Sequence, residues 1–248
     1  MRYFIEFAYN GTSYHGWQRQ PNAISVQQVL EEALSLLLRQ NISVVGAGRT
    51  DAGVHAKQMF AHLDVAKKLD VNELVKRLNN YLPKDIAIKR VFPVKADAHA
   101  RFDATLRAYE YIIVPFKDPF SQESAHHVFL PLDVEVMNQE AKDLIGRQDF
   151  ECFSKSHTDV HTYFCTITQA GWQKVGDKLV FTIAADRFLR NMVRAVVGTL
   201  LDVGLHKKPS GHIKKVIASK SRGEAGVSVP AQGLYLTRVE YSDIEIDE

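Results

Sequence analysis

Apolar residues change their spacing repeatedly along this chain, and that alternation limits the fold more than any single motif does. Over residues 2–9 they alternate, with Tyr3, Ile5 and Phe7 on one side and Phe4, Glu6 and Ala8 on the other, as in a strand. After a polar, glycine-containing stretch from Asn10 to Asn22 the spacing becomes helical. Ser25-Val26-Gln27-Gln28 reads as a capping box, and Val26, Val29, Leu30, Ala33, Leu34 and Leu37 form an apolar stripe. Short strands are expected over 42–45 and 56–65, and a helix capped by Asp70 and Glu73 should end at Leu82 before Pro83. Strand spacing returns over 107–114, with Tyr109, Tyr111 and Ile113 on one face. A helix is expected over 133–145, ending at Gly146, and then a hairpin of 166–175 and 178–184 around Gly176-Asp177. Helices over 187–205, with a basic face, and 209–220, with Pro209 near its start, precede a last strand over 233–241. The order β-α-β-β-α-β occurs roughly twice. It implies an α+β protein of two similar halves, residues 1–105 and 106–248, each a sheet with helices on one face.

The chain has 248 residues, 46% of them hydrophobic and 24% charged, enough to bury a large core without disulfides or metal. Its two cysteines, Cys152 and Cys165, form neither a CxxC motif nor a disulfide framework, which fits a reducing cytoplasm. No apolar run approaches the ~20 residues of a membrane span, and Glu6 interrupts the apolar core that a signal peptide at Met1 would need. Secreted and membrane-spanning classes are therefore not expected. The net charge of +2 conceals a contrast. Between Asp186 and Arg222 nine basic residues stand against two acidic ones, whereas from Gly223 onward Arg238 faces Glu224, Glu240, Asp243, Glu245, Asp247 and Glu248. A basic segment is the footprint of a phosphate-binding surface, and equally of a solvated helix face.

The stretch Gly46-Ala47-Gly48-Arg49-Thr50-Asp51-Ala52-Gly53-Val54-His55-Ala56 is the richest in chemistry. Its glycines call for tight backbone or positive φ. A dinucleotide fingerprint would need glycine where Asp51 stands, and the Gly-Lys-Ser/Thr of a P-loop is absent. Asp51 could simply cap a turn; yet Arg49 and His55 flank it in a loop with few other charges. An aspartate carboxylate, with an ordinary pKa of about 3.9, needs no base to act as a nucleophile and can attack a sugar anomeric carbon. A second carboxyl group to act as acid is not evident, and a good leaving group such as a uracil anion would not require one. No zinc, deaminase or G-x-S-x-G signature is present. His15, His55, His62, His99 and His206 read as hydrogen-bonded or RNA-facing rather than as ligands. Tyr14-His15-Gly16-Trp17-Gln18-Arg19-Gln20 is either a hydrophobic plug or a base-stacking, phosphate-contacting loop. The two tyrosines of Arg107-Ala108-Tyr109-Glu110-Tyr111 are, taken alone, core residues as readily as catalytic ones.

These residues resemble the tRNA pseudouridine synthase A family. The 46–56 stretch is similar to its active-site motif. Gly16-Trp17-Gln18-Arg19-Gln20 with Val26-Gln27 and Leu30-Glu31 resembles its N-terminal signature, and Ala100-Arg101-Phe102-Asp103-Ala104 with Arg107, Tyr109 and Tyr111 its central motif. Phe188, Met192-Val193-Arg194, Val197-Gly198 and Val203-Gly204 resemble its C-terminal helix, and Pro230-Ala231-Gln232-Gly233-Leu234-Tyr235-Leu236 its last strand. The motifs occur in family order over essentially the whole chain. The resemblance implies the pseudouridine synthase fold, two pseudo-symmetric halves whose mixed or antiparallel sheets join across a central cleft. It also implies isomerisation of uridine to pseudouridine at about positions 38–40 of the tRNA anticodon stem-loop, by a cytoplasmic homodimer that needs no cofactor or metal.

By the same resemblance Asp51 is the nucleophile, Tyr109 stacks on the target uracil and assists proton removal from C5, and Arg194 pairs with Asp51 across the cleft. Arg49 helps flip the base or contacts the backbone, Leu236 lines the uracil pocket, and Trp17, Gln18 and Arg101 contribute to substrate binding. One departure bears on RNA affinity or target breadth. Where the family has Ser-Phe-Arg and Arg-Thr-Ile, this chain has Cys152-Phe153-Ser154 and Cys165-Thr166-Ile167, with Lys155 and His157 nearby in place of two arginines; lysine is not a bidentate equivalent of arginine. Two other functions compete: a non-catalytic RNA-binding module that keeps the fold, and a nucleoside hydrolase, which would demand a second acid and usually a metal.

Overall fold

The computed structural model describes residues 1–155, 160–242 and 244. The elements in chain order are β1 (Arg2–Tyr9), α1 (Val26–Leu38), β2 (Val45–Gly46), β3 (His55–Asp64), α2 (Val71–Tyr81), β4 (Ile86–Val94), β5 (Ala104–Val114), β6 (His126–His127), α3 (Val134–Lys142), β7 (Gly146–Asp149), β8 (Phe164–Val175), β9 (Lys178–Ala185), α4 (Met192–Gly204), α5 (His212–Ser219) and β10 (Leu234–Tyr241). They form two compact units, one of Met1–Thr105 together with the chain from Leu236 on, the other of Leu106–Tyr235. The sequence reading carries residues 236–248 with the second half. In the structure Leu236–Tyr241 belong to the first unit, because β10 hydrogen-bonds to β3 and the Val239 N–H donates to Gln58 Oε1 at 2.9 Å. Asp243, Glu245, Asp247 and Glu248 of the acidic tail, and His157, lie outside the described residues.

In the first unit the strand order is β4-β1-β3-β10, with β2 beside β3 and β1 antiparallel to both its neighbours. β1 is buried on both faces: Tyr3, Phe4, Ile5 and Phe7 are all within 1% of full burial. The even face carries an aromatic cluster, with the Phe4 ring 5.3 Å from Tyr241 and 6.0 Å from Phe92. Glu6 is buried among these strands and keeps its charge. Burial alone would raise its pKa, but hydrogen bonds from Arg90 (2.7 Å) and Gln58 (2.9 Å) hold it below the ordinary value. β4 has no counterpart in the sequence reading. Its Pro93 argues against a central strand, and β4 lies at the end of this order, where proline is tolerated.

The helix caps follow local chemistry. Ser25 Oγ and Asp70 Oδ1 accept the Gln28 and Glu73 N–H groups at 3.3 and 3.0 Å. Only half of the expected capping box forms, since the Gln28 amide donates to Glu32 instead.

The second unit has the order β5-β9-β8-β7, antiparallel throughout, with β6 added parallel to β5. The 176–177 hairpin is present, with Gly176 at φ +58°. α4 differs from expectation. It begins only at Met192, after Asn191 turns left-handed (φ 66°), so Arg187 and Arg190 fall outside it and Arg194 is its one basic residue. Eleven of its thirteen residues are buried, which is the stripe of a core helix and not a basic face. α5 likewise starts at His212, beyond Pro209, where the buried Glu140 carboxylate accepts the Gly211 and Ile213 N–H groups at 2.5 and 2.9 Å. α3 stops at Lys142, short of Ile145, because β7 starts at Gly146 with φ +100°.

The chain after α5 is stapled to α4. Thr199 Oγ1 donates to the Ala195 carbonyl and accepts the Gly226 N–H, both at 2.8 Å. A Cβ on Gly226 would stand 2.7 Å from backbone atoms of Gly198 and Thr199. Gly226→Ala should therefore lower the unfolding free energy by about 1–3 kcal/mol in urea titrations, and an unchanged midpoint would contradict this packing.

A second expectation concerns pH. Burial first, then the electrostatic influence of neighbouring Arg2 and His99, push the His62 pKa down to about 4. The unfolded chain takes up this proton near pH 6.5 and the folded one resists it, so the stabilisation is complete above pH 6.5 and is lost as pH falls toward 4. His62→Gln, whose amide oxygen can still accept the Ala100 N–H, should show a shallower fall in Tm between pH 6.5 and 4.5 than the wild type. Parallel curves would contradict it.

Candidate active site

Residues 47–54 of the first unit form a loop between β2 and β3, and a second loop, 10–24, holds it from behind. Ala47 N–H donates to the Phe60 carbonyl (2.8 Å), Trp17 N–H to Thr50 (3.4 Å), and Gly53 N–H to Tyr14 (3.2 Å). Within the loop, the Val54 N–H reaches the Asp51 carbonyl at 3.2 Å. Tyr9 Oη and Thr50 Oγ1 share a hydrogen bond at 2.9 Å. His55, buried, accepts the Gly11 N–H on Nδ1 at 3.0 Å, so its role is to join the loops.

Three glycines make this fit possible: at Gly11 an added Cβ would overlap the Val54 carbonyl oxygen. Gly16 has φ +83°, and a Cβ there would overlap the Thr50 carbonyl oxygen. Gly46 lies flat on the Trp17 indole, whose Cε2 would be 2.5 Å from an added Cβ. Gly48 needs neither positive φ nor close approach, contrary to the sequence expectation for all the glycines of this stretch.

The result is a fixed backbone at Thr50-Asp51 with a half-buried Asp51 and an exposed Arg49 on it. Trp17 is 3% exposed and packs beside Phe7 at 5.5 Å. Its indole is inside the unit, as in the plug reading of that segment. Gln18, by contrast, is exposed. Arg101 is exposed on the turn between β4 and β5, and Leu236 is buried in β10.

In the second unit the paired tyrosines of β5 part company. Tyr111 is fully buried and donates to the Pro230 carbonyl at 2.8 Å; burial pushes its pKa up, opposed by the Arg194 charge. Tyr109, opposite Ile183 on β9, is half-buried and meets the Phe188 ring edge-on at 5.2 Å. Arg194 occupies the first turn of α4. Its Nε donates to the Val229 carbonyl at 2.7 Å, and the Val229 N–H returns to the Arg194 carbonyl at 3.2 Å. The Thr199–Gly226 staple lies one turn further along α4, so the packing that fixes the 226–229 segment also fixes the Arg194 guanidinium.

The basic segment is not one continuous surface. Lys214 pairs with Asp143 (3.2 Å), Lys220 with Asp149 (2.9 Å) and Lys207 with Asp202 (3.8 Å), while Arg222 donates to the carbonyls of Ala225 and Gly226. Where arginines are expected by resemblance, Ser154 and Cys165 are both buried, and burial raises the Cys165 thiol pKa to about 12. Among the described residues no cluster of three His, Cys, Asp or Glu side chains is placed to hold a metal ion. A pocket of about 350 Å³ in the second unit, with Lys117, His126, His127 and Phe129 in its wall, involves none of the expected site residues. Sequence reasoning missed Tyr9, Asp85 (which accepts from Tyr14 Oη at 2.7 Å) and Thr199. Each acts through a partner 27 to 71 residues away, and no local pattern marks such pairs.

Comparison with known proteins agrees in extent and in kind. The family model described as tRNA pseudouridine synthase matches residues 6–103 and 141–242. A tRNA pseudouridine synthase A of Porphyromonas gingivalis is 53% identical over 244 residues, 97% of each chain. That of Parabacteroides distasonis is 51% identical over 243 residues, 98% of this chain and 96% of the relative. That of Brevibacillus brevis is 40% identical over 236 residues, 94% and 97%. With a match of this length and the Asp51 loop in the interior of the first matched segment, the chain belongs to the tRNA pseudouridine synthase family and has its α+β fold.

Proposed function

We propose that this protein converts uridine to pseudouridine in tRNA, at about positions 38–40 of the anticodon stem-loop, with Asp51 as nucleophile. Membership of the family over nearly the whole chain supports the reaction. The observation that carries the residue assignment is the immobilised Thr50-Asp51 backbone, held by Gly16, Trp17 and Tyr9 with the Asp51 side chain left half-buried.

The reaction moves no atom on or off the RNA except one proton exchanged with solvent. The C1′–N1 bond breaks and the uracil leaves as an anion that needs no acid. The ring turns, C5 bonds to C1′, and the C5 proton is lost. In this proposal Asp51 meets the electron-poor ribose, either as an ester at C1′ or by removing the 2′ proton. Tyr109 stacks on the uracil and assists loss of the C5 proton, and Arg194 supports the aspartate's step. Arg49, exposed beside Asp51, contacts the RNA backbone as the base leaves its stack, an event costing a few kcal/mol. Gln18, Arg101 and Leu236 complete substrate binding, whereas Trp17 serves the loop from within. The same proposal includes a homodimer and a cytoplasmic location, both carried by family resemblance. No described helix is long and apolar enough to cross a membrane.

The test is release of tritium from unmodified tRNA labelled at uracil C5. The wild-type protein should release it without added cofactor. Arg194→Ala should lower turnover about 100-fold while tRNA affinity changes little. Tight tRNA binding with no tritium released by the wild type would favour a binding module instead, and a loss in Arg194→Ala confined to binding would contradict the assigned role.

A further inference from the structure

The turn between β4 and β5 is built with more care than a surface connection needs. Ala98 and Ala100 are buried in it. The Ala100 N–H donates to His62 Nδ1 (3.1 Å), and Tyr241 Oη donates to the Ala100 carbonyl (2.6 Å). The Ala98 carbonyl accepts from Arg2 at 3.0 Å. Asp103 Oδ2 accepts the His99 N–H at 2.7 Å, and the Asp103 N–H returns to the His99 carbonyl at 3.1 Å. His99 Nδ1 then accepts both the Arg101 and the Phe102 N–H groups, at 3.1 and 3.2 Å. What this framework displays is a phenylalanine. Phe102 is 74% exposed, its ring lying on His99 at 4.3 Å, with His99 in turn against His62 at 4.7 Å. The Arg101 guanidinium lies 5.7 Å from the Phe102 centroid.

An exposed benzene ring on a rigid turn gains little from folding, since its apolar area stays in water. It gains on meeting another flat π-face, and the adjoining guanidinium adds attraction for phosphate. A nucleotide has both features. The turn hangs from His62 near one end of β3, whereas Asp51 precedes His55 at the other end, and the seven residues from His55 to His62 span roughly 23 Å of strand. The stacked base is therefore not the reacting uridine.

We infer that Phe102, with Arg101 at its rim, is a stacking platform for a second, unpaired nucleobase of the RNA substrate, held at the far end of β3 from the reacting one. The inference rests on the tRNA reading above and adds a contact remote from the chemistry, of the kind whose binding energy positions a substrate.

Both native tryptophans, Trp17 and Trp172, are buried, so Phe102→Trp introduces an exposed fluorescent reporter. Titration with unmodified tRNA should quench its emission saturably. Phe102→Ala should raise KM for tRNA roughly tenfold, with the effect falling on KM more than on kcat, and Phe102→Tyr should restore it. Absence of quenching overturns the inference, and so does quenching while Phe102→Ala keeps the wild-type KM. If the variants behave as wild type while wild type releases tritium, only this inference fails. If wild type neither binds tRNA nor releases tritium, the functional reading fails and takes the inference with it.

Discussion

The Thr50 carbonyl oxygen lies where a side chain on residue 16 would have to be, and the Trp17 N–H points at that same oxygen from 3.4 Å. This close passage of two loops is the constraint on which the candidate nucleophile depends. Neither loop has regular structure of its own, so each is held by the other, through Gly53 to Tyr14, and by the adjoining strands, through Thr50 to Tyr9 of β1, Gly11 to His55 of β3 and Ala47 to Phe60 of β3. Trp17, buried, fills the space beneath Gly46. An aspartate that must meet one ribose carbon profits from such a mount, because a backbone fixed before substrate arrives need not be ordered during the reaction.

The second unit solves a similar problem by other means. Arg194 could swing on its long side chain, yet Nε is tied to the Val229 carbonyl and the 226–229 segment is clamped to α4 through Thr199. A guanidinium oriented through its own Nε keeps a defined plane, which a lysine at this position could not provide. In both units glycines at points of backbone contact and buried hydrogen bonds set the position of one polar side chain.

Much of this was legible in the residues. The strand β1, the helices α1 and α2, the 176–177 hairpin and the last strand follow from spacing and caps, because those signals are local. The edge strand β4 was not, since Pro93 and its charged residues mask a half-buried pattern. The length of α4 was overestimated because Arg187, Phe188 and Leu189 fit a helical stripe, and only the left-handed Asn191 shows where the helix starts. The Asp51 loop stood out through its glycines and charges. The roles of Trp17 and His55 as supports did not, because an aromatic or imidazole ring in a loop reads the same whether it faces a base or a neighbouring loop. Charge summed along the sequence likewise overstated the basic surface, since Lys214 and Lys220 are matched by Asp143 and Asp149 from distant elements.

The central claim is that the Asp51 carboxylate itself does the chemistry. Pseudouridine formation should be followed in a single turnover, with tRNA bound at saturation to wild type and to Asp51→Asn, a substitution that preserves shape and removes the charge. The account predicts product in the wild type and a rate at least 1,000-fold lower, on the order expected when a nucleophile is lost, in an Asp51→Asn protein that binds the same tRNA equally well. A variant that forms pseudouridine at near the wild-type rate would contradict it.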